Sequence, residues 1–371
     1  MNIWKTIVGL IVTSVLSASV WAQENSCEEQ LNAATAEYDA GRFYGIPAML
    51  KPCIDKGFTR EQRQRAFLLL AQTYILLNDP LGADNSYLEV LRANPEFLAD
   101  TARDQIDIVY LSKRFTASPI FAIFGRVGGN VSPVNVISTI NPTGGPIRND
   151  YSLRPGFQVA VGVDWNITSK VALTAELNYS NTGYKKNQFK FPTAEPDEEE
   201  FLDRQSWVSI PISVKYSDIT GVNKKIRPYC FVGYSVNLLM SDNGEINIIK
   251  RDDEGEEAPV IREETSPTIN FNSYRNKVNT SVFVGAGARY KLGLNFLFAE
   301  MRYNVGLSNV VAPNSTYDNN GPAVTYGHVD DYFRLDNFSL SIGYMKPLYK
   351  PRQVKKAKTK SVLKGIKKRE K

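Results

Sequence analysis

In the stretch GFQVAVGVDWN, residues 156–166, Phe157, Val159, Val161, Val163 and Trp165 fall on one parity, and Gln158, Ala160, Gly162, Asp164 and Asn166 on the other. Successive side chains of a strand point to opposite faces, so the pattern predicts a ribbon with one apolar side and one polar or small side. Seven further segments alternate in the same way, giving eight in all: 119–131, 154–166, 169–181, 205–217, 226–240, 279–291, 293–307 and 334–346. Their connectors run long, short, long, short, long, short, long. NITSK and KLGLN are tight and DITGVNKK is modest, whereas the other four hold roughly twenty to forty residues, far beyond a hairpin loop.

Two architectures compete for such strands. A soluble sandwich turns the apolar side inward, and a membrane barrel turns it to lipid. The alternating loop lengths favour the barrel, whose short turns lie on one rim and long loops on the other. So do the aromatics near the ends of the apolar parity, Trp165, Tyr179, Tyr216 and Tyr344. Runs of nine or more residues suit a tilted span. Lipid also demands that no strand edge stay unpaired, which eight strands can satisfy by closing. The reading is an eight-stranded antiparallel transmembrane β-barrel over 117–349, with Asp164 facing inward. An even strand number returns both chain ends to the short-turn rim, expected to face the periplasm.

Before residue 117 the period changes to that of a helix. SCEEQLNAATAEYDAG opens on Ser26 as a cap and closes on Gly41, IPAMLKPCIDKG ends at Gly57, and TREQRQRAFLLLAQTYILLND starts at the cap Thr59. LGADNSYLEVLRANP follows Asp79-Pro80 and stops at Pro95. In the last two helices Ala66, Leu70, Tyr74, Ala83, Tyr87, Leu91 and Asn94-Pro95 match a tetratricopeptide (TPR) unit. Only one unit matches well, so residues 23–116 are expected to form a small TPR-like helical domain, an α+β multidomain chain with the barrel. It serves either as a spacer or as a protein-binding face around Tyr74, Tyr87 and Leu91.

Residues 1–22 have one early Lys5, an apolar stretch from Ile7 to Leu16 and a small-residue site at Val20-Trp21-Ala22, the pattern of a secretory signal peptide. Export makes a Cys27–Cys53 disulfide a candidate against two buried thiols, and Cys230 carries the parity of the apolar face. The net charge of +5 hides an asymmetry: 350–371 hold eleven Lys or Arg against one Glu, so the body before this basic tail carries −5 by subtraction. The tail suits anionic headgroups, cell-wall polymer or an acidic partner in the periplasm; nucleic acid is not expected there.

The inward parity carries Arg126, Asp164, Lys170, Glu176, Lys215, Arg289, Glu300 and Arg302. An eight-stranded bore is only wide enough for side chains to fill, so these are expected to pair as a structural charge network. The single histidine, His328, sits beside Asp330 and Asp331 in TYGHVDDYF and reads as a solvated loop residue. No nucleophile motif or metal-ligand spacing accompanies it, so no catalytic residue, metal or cofactor is assigned. The acidic runs EPDEEEFLD (195–203) and RDDEGEE (251–257) read as solvated loop crests, or as sites for divalent-cation bridging to lipopolysaccharide phosphates or for partner recognition; neither has calcium-loop spacing.

The segments DIVYLSKRFTASPIFAIFGRVGGNVS, RPGFQVAVGVDWNITSKVALTAELNYS and NFSLSIGYMKPLY resemble the PorT-like outer-membrane barrel family of Bacteroidetes, over roughly 104–349. Gly128-Gly129-Asn130 and Gly343-Tyr344 carry the likeness. The resemblance implies an eight-stranded barrel in the outer membrane of a Gram-negative bacterium and a link to protein secretion, and it carries over no functional residues. The expectation is a non-enzymatic anchor or accessory subunit of an envelope or secretion assembly. It would contact outer-membrane lipid, lipopolysaccharide and protein partners through its helical domain or outer loops. The alternative is a narrow channel or small-solute uptake protein.

Overall fold

A computed structural model describes residues 27–55, 57–140, 147–190, 197–217, 225–252, 260–313 and 328–354, without the side chains of 147, 190, 197, 250–252 and 260–262. The signal-peptide segment, the acidic run 251–257 and most of the basic tail lie outside the described residues or side chains. The chain divides into two compact units: one from residues up to 119 together with those from 349, the other Ile120–Leu348.

The first unit is helical: α1 (27–39), α2 (Ile46–Asp55), α3 (Arg60–Leu76), α4 (Pro80–Ala93) and α5 (Ile106–Ser112). Thr59 starts α3 by a reciprocal cap: its hydroxyl accepts the Gln62 N–H, and the Gln62 side chain accepts the Thr59 N–H at 2.9 Å. Asp79 caps α4, with Pro80 in the first turn where a missing N–H costs nothing. Cys27 and Cys53 are joined by a disulfide that ties α1 to α2. The chain returns to this unit after the sheet. Arg352–Gln353 pairs with Phe115–Thr116, and the Gln353 amide donates to Asp84 Oδ2 at 2.7 Å.

The second unit is a barrel-like sheet of eight long antiparallel strands: β1 (Phe121–Val131), β2 (Ile147–Asn166), β3 (Val171–Lys190), β4 (Asp197–Ser217), β5 (Ile226–Asp252), β6 (Val278–Leu292), β7 (Asn295–Gly306) and β8 (Asn337–Leu348). Each pairs with its neighbours in chain order, and β8 pairs β1 with Tyr344 opposite Gly125, so the pairings return to their start. The apolar parity faces outward. Val161 is 59% and Ile342 64% exposed, whereas Asp164 is fully buried.

Three of the four expected long loops are partly extensions of these strands. β2 begins at Ile147, β3 runs to Lys190, β4 begins at Asp197 and β5 runs to Asp252. These extensions enclose a second core at the long-loop end, made of Tyr184, Phe201, Ile246, Phe271 and Phe333 among others. Val134–Ser138 pairs with Tyr332–Leu335 beside it. Register shifts at Arg154/Phe157 and Ser206/Trp207 separate the extensions from the sheet below. A bulge of this kind sends the following residues to the opposite face.

Candidate functional site

Four charges form a layer across the sheet interior. Arg126 comes from β1, Glu176 from β3, and Glu300 and Arg302 from β7. The Arg126 guanidinium lies 2.9 Å from Glu176 and 3.4 Å from Glu300, and that of Arg302 lies 2.8 Å and 3.3 Å from the same two carboxylates. Tyr229 donates its hydroxyl to Glu300 at 3.0 Å, and Arg302 stacks 4.6 Å from the Phe283 ring centre. Two cations against two anions leave the layer neutral, the condition under which ionised groups tolerate burial.

Closer to the short turns, Asp164 accepts from Lys215 at 3.1 Å, Arg289 at 3.0 Å and Thr174 at 2.6 Å. The Lys215 ammonium sits 4.5 Å over the Phe124 ring, and Phe124, Phe296, Phe298 and Met345 fill the remaining space. Seven of the eight charged residues assigned to the interior therefore meet in these two layers. Lys170 does not. It is exposed in the turn before Val171, where the pleat of β3 has not begun, so strand parity does not govern its direction.

Above the charge layer the interior holds a cavity of about 100 Å³ between Arg126 and Arg302 on one side and Trp207, Val310 and Leu335 on the other. Its wall is mainly of uncharged hydrogen-bonding groups, including Gln158, Asn178, Ser209, Asn237, Asn279 and Ser281, together with Asp336. Asn279 keeps a buried carbonyl oxygen without a protein partner. Such a chamber has room for several waters or one small neutral polar solute.

A second polar cluster lies within the core at the long-loop end. Arg275 is fully buried and reaches Asp242 and Asp330 at 2.6 Å each and Asp203 at 3.4 Å. His328 contacts Glu199 through Nδ1 and Asp330 through Nε2 at 3.3 Å, with the Phe201 ring centre 4.2 Å from its own. Lys186 donates to the Val329 carbonyl at 2.8 Å, and Asp331 accepts from Tyr151 at 2.6 Å and Asn149 at 2.7 Å. His328 is thus buried rather than solvated, because the strand extensions rise around it. Glu199 and Asp203 likewise leave the solvated run expected at 195–203.

Burial alone pushes the His328 pKa down, but the Glu199 and Asp330 carboxylates outweigh it and hold the imidazole above its ordinary value. Burial raises Asp330 too, yet Arg275 and His328 bring it below the usual carboxylate range. Asp203 is pushed well up by burial and by the neighbouring Asp242. Among the described residues, the side-chain partners of His328 are the carboxylates Glu199 and Asp330, neither of them the hydroxyl or thiol nucleophile of an acyl-transfer site. Among the described residues, no group of His, Cys, Asp and Glu is arranged to hold a metal ion.

The helical residues assigned to partner contact are placed differently from expectation. Tyr87 and Leu91 are buried, with the Tyr87 ring against Phe97 and Phe115, and Tyr74 is half-buried between the two helical cores. The positions that define the helical-pair pattern are those that pack the pair, which takes them out of reach of a partner.

Residues 120–312 match the model of the outer membrane protein beta-barrel domain. The chain belongs to that family. This barrel is also similar to solved structures of low identity. Neisserial surface protein A is 14% identical over 62% of this chain and 97% of its own, at a TM-score of 0.30. OprG from Pseudomonas aeruginosa is 9% identical over 64% and 99%, at 0.31. Ail, the attachment invasion locus protein of Yersinia pestis, is 12% identical over 62% and 99%, at 0.26. No curated protein matches the sequence.

Family membership implies the outer membrane of a Gram-negative bacterium as the location of this barrel. The buried set Asp203, Asp242, Arg275 and His328 was not among the candidates drawn from the sequence. One signal points to Asp203 alone: Glu199, Phe201, Asp203, Gln205 and Trp207 continue the inward parity of Ser209 without a break.

Proposed function

We propose that this chain is a non-catalytic outer-membrane anchor or accessory subunit of an envelope or secretion assembly, with a barrel of the PorT-like kind spanning the membrane. The observation that carries the reading is the filled interior: the neutral layer of Arg126, Glu176, Glu300 and Arg302, with the Asp164 layer and phenylalanine rings next to it, leaves no wide bore. A barrel blocked in this way holds something in place more readily than it conducts. The nine residues from Phe157 to Trp165, five of them outward, suit one tilted span, for which about nine to eleven residues suffice.

In this reading the short-turn rim faces the periplasm. The chain enters β1 and leaves β8 beside Trp165 at that rim, Leu348 lying opposite Phe121 and Phe121 opposite Trp165. The helical unit, read as TPR-like, and the basic tail then lie in the periplasm after a signal peptide is removed. Partner proteins would meet the apolar side chains the helices leave exposed, such as Leu76, Leu81 and Tyr110, or the long-loop end that contacts lipopolysaccharide. Crosslinking in intact envelopes followed by mass spectrometry tests the anchor role: a reproducible protein neighbour supports it, and recovery of none contradicts it.

The polar cavity favours a second reading, a narrow path for a small solute. Planar-bilayer recording decides between them. Steady single-channel currents from the purified protein would favour the channel, and a silent bilayer the anchor.

A further inference from the structure

On the outward face of β1 to β8, below their long-loop extensions, every described side chain is uncharged except Lys346. It is exposed, two residues after Tyr344 and two before Leu348, close to the short-turn rim where Trp165, Tyr216, Tyr290 and Tyr344 lie outward. Strand register puts Lys346 beside Ile123, Val163 and Ala175 in one row, and Tyr344 beside Gly125 and Val161 in the next. Gly125 leaves a gap between these rows. A Cβ there would meet nothing closer than the Ala160 carbonyl oxygen at 3.9 Å, so the space over it is open. Gly125, Val161, Ala175, Tyr344 and Lys346 line one depression in the outer wall.

We propose that this depression is a phospholipid site: one acyl chain lies over Gly125, and the headgroup phosphate pairs with the Lys346 ammonium. The inference rests on the membrane-spanning reading above. An ammonium on an apolar wall is unfavourable in hydrocarbon, and its flexible stem lets it reach the headgroup level where a phosphate can compensate it. The Tyr344 ring occupies the same level, and its hydroxyl is a second donor for that phosphate. The gap beside the cation supplies what a bare surface lysine lacks, a slot that holds a chain in one place. Because the site lies at the short-turn rim, its occupant is a glycerophospholipid of the periplasmic leaflet rather than lipopolysaccharide.

Native mass spectrometry of the full chain in detergent, titrated with palmitoyl-oleoyl phosphatidylglycerol, tests the site. The wild type is expected to retain one lipid and to ignore the matching diacylglycerol, which lacks the phosphate. Lys346→Gln is expected to weaken retention roughly tenfold or more, and Lys346→Arg to keep it. Gly125→Leu projects into the gap from a Cβ that meets nothing closer than 3.9 Å, and is expected to abolish retention while leaving the fold intact. Equal retention by wild type, Lys346→Gln and Gly125→Leu overturns the proposal, as does stronger retention of lipid A than of the phospholipid. Flotation with vesicles of the same lipid separates the two levels of the account: a chain that does not insert defeats the membrane reading itself, and one that inserts but whose lipid retention does not depend on Lys346 defeats only this site.

Discussion

Arg302 lies 2.8 Å from Glu176, 126 residues away in the chain, and both side chains are buried. The contact spans the interior between β7 and β3, so it is available only when the sheet has its observed pairing. Removing Arg302 leaves Arg126 alone against Glu176 and Glu300. Arg302→Met is expected to cost about 3 kcal/mol, because a buried negative charge loses its compensation. The double change Arg302→Met with Glu300→Gln restores neutrality and is expected to cost less than the two singles together. Urea unfolding of the full chain in lipid vesicles, followed by tryptophan emission, measures both.

His328 ties the last long segment to β4 through Glu199. Its folded pKa is raised above the ordinary histidine value of about 6.5, so its ion pairs contribute in full below that pH. The contribution is lost as pH climbs through the folded value and the imidazole deprotonates. The raised Asp203 works in the same sense, whereas the lowered Asp330 weakens the cluster only in strong acid. Hydrogen exchange of the amides at 328–335, corrected for the intrinsic rate, is therefore expected to lose protection with rising pH. His328→Gln is expected to flatten most of that dependence.

Gly82 sits where α4 crosses α3. A Cβ there would lie 2.7 Å from Tyr74 Cγ and 2.6 Å from Asp79 Oδ2, the oxygen beside the one that caps the helix. Gly82→Ala improves intrinsic helix propensity, but the overlap with a ring held by two cores outweighs that gain. We expect a net loss of about 1–2 kcal/mol. In a Tyr74→Ala background the same substitution is expected to be neutral or stabilising. Thermal melts of the helical signal by circular dichroism check both.

The Cys27–Cys53 bridge closes a separation of 26 residues. On the chain-entropy account a loop of that size stabilises its unit by about 3 kcal/mol. Reduction, or Cys53→Ser, is expected to lower the melting temperature of the helical unit and to leave the unfolding of the barrel unchanged. Limited proteolysis of α1 against the barrel strands reads the two units separately.

Much of the barrel was legible because one rule, alternation, governs residues 157–165 and their counterparts. It placed Glu176 and Arg302 inside without further information. The same rule failed at its edges. Lys170 lies before the pleat begins, and Met240 is the extra residue of a bulge, so Asn237 and Asp242 both turn inward despite opposite parity. The run EEEFLDR has the composition of a loop, and its burial depends on Phe271 and Phe333 arriving from distant segments. Arg275 and His328 lie in no periodic segment, so only tertiary structure assigns them.

The central claim is that the apolar face of the eight strands meets lipid. A nitroxide on Val161→Cys in a Cys230→Ser background, with the chain inserted in vesicles, tests it most directly. The account predicts strong relaxation by oxygen and weak relaxation by a nickel chelate. A label that the water-soluble nickel chelate reaches more readily than oxygen would contradict it.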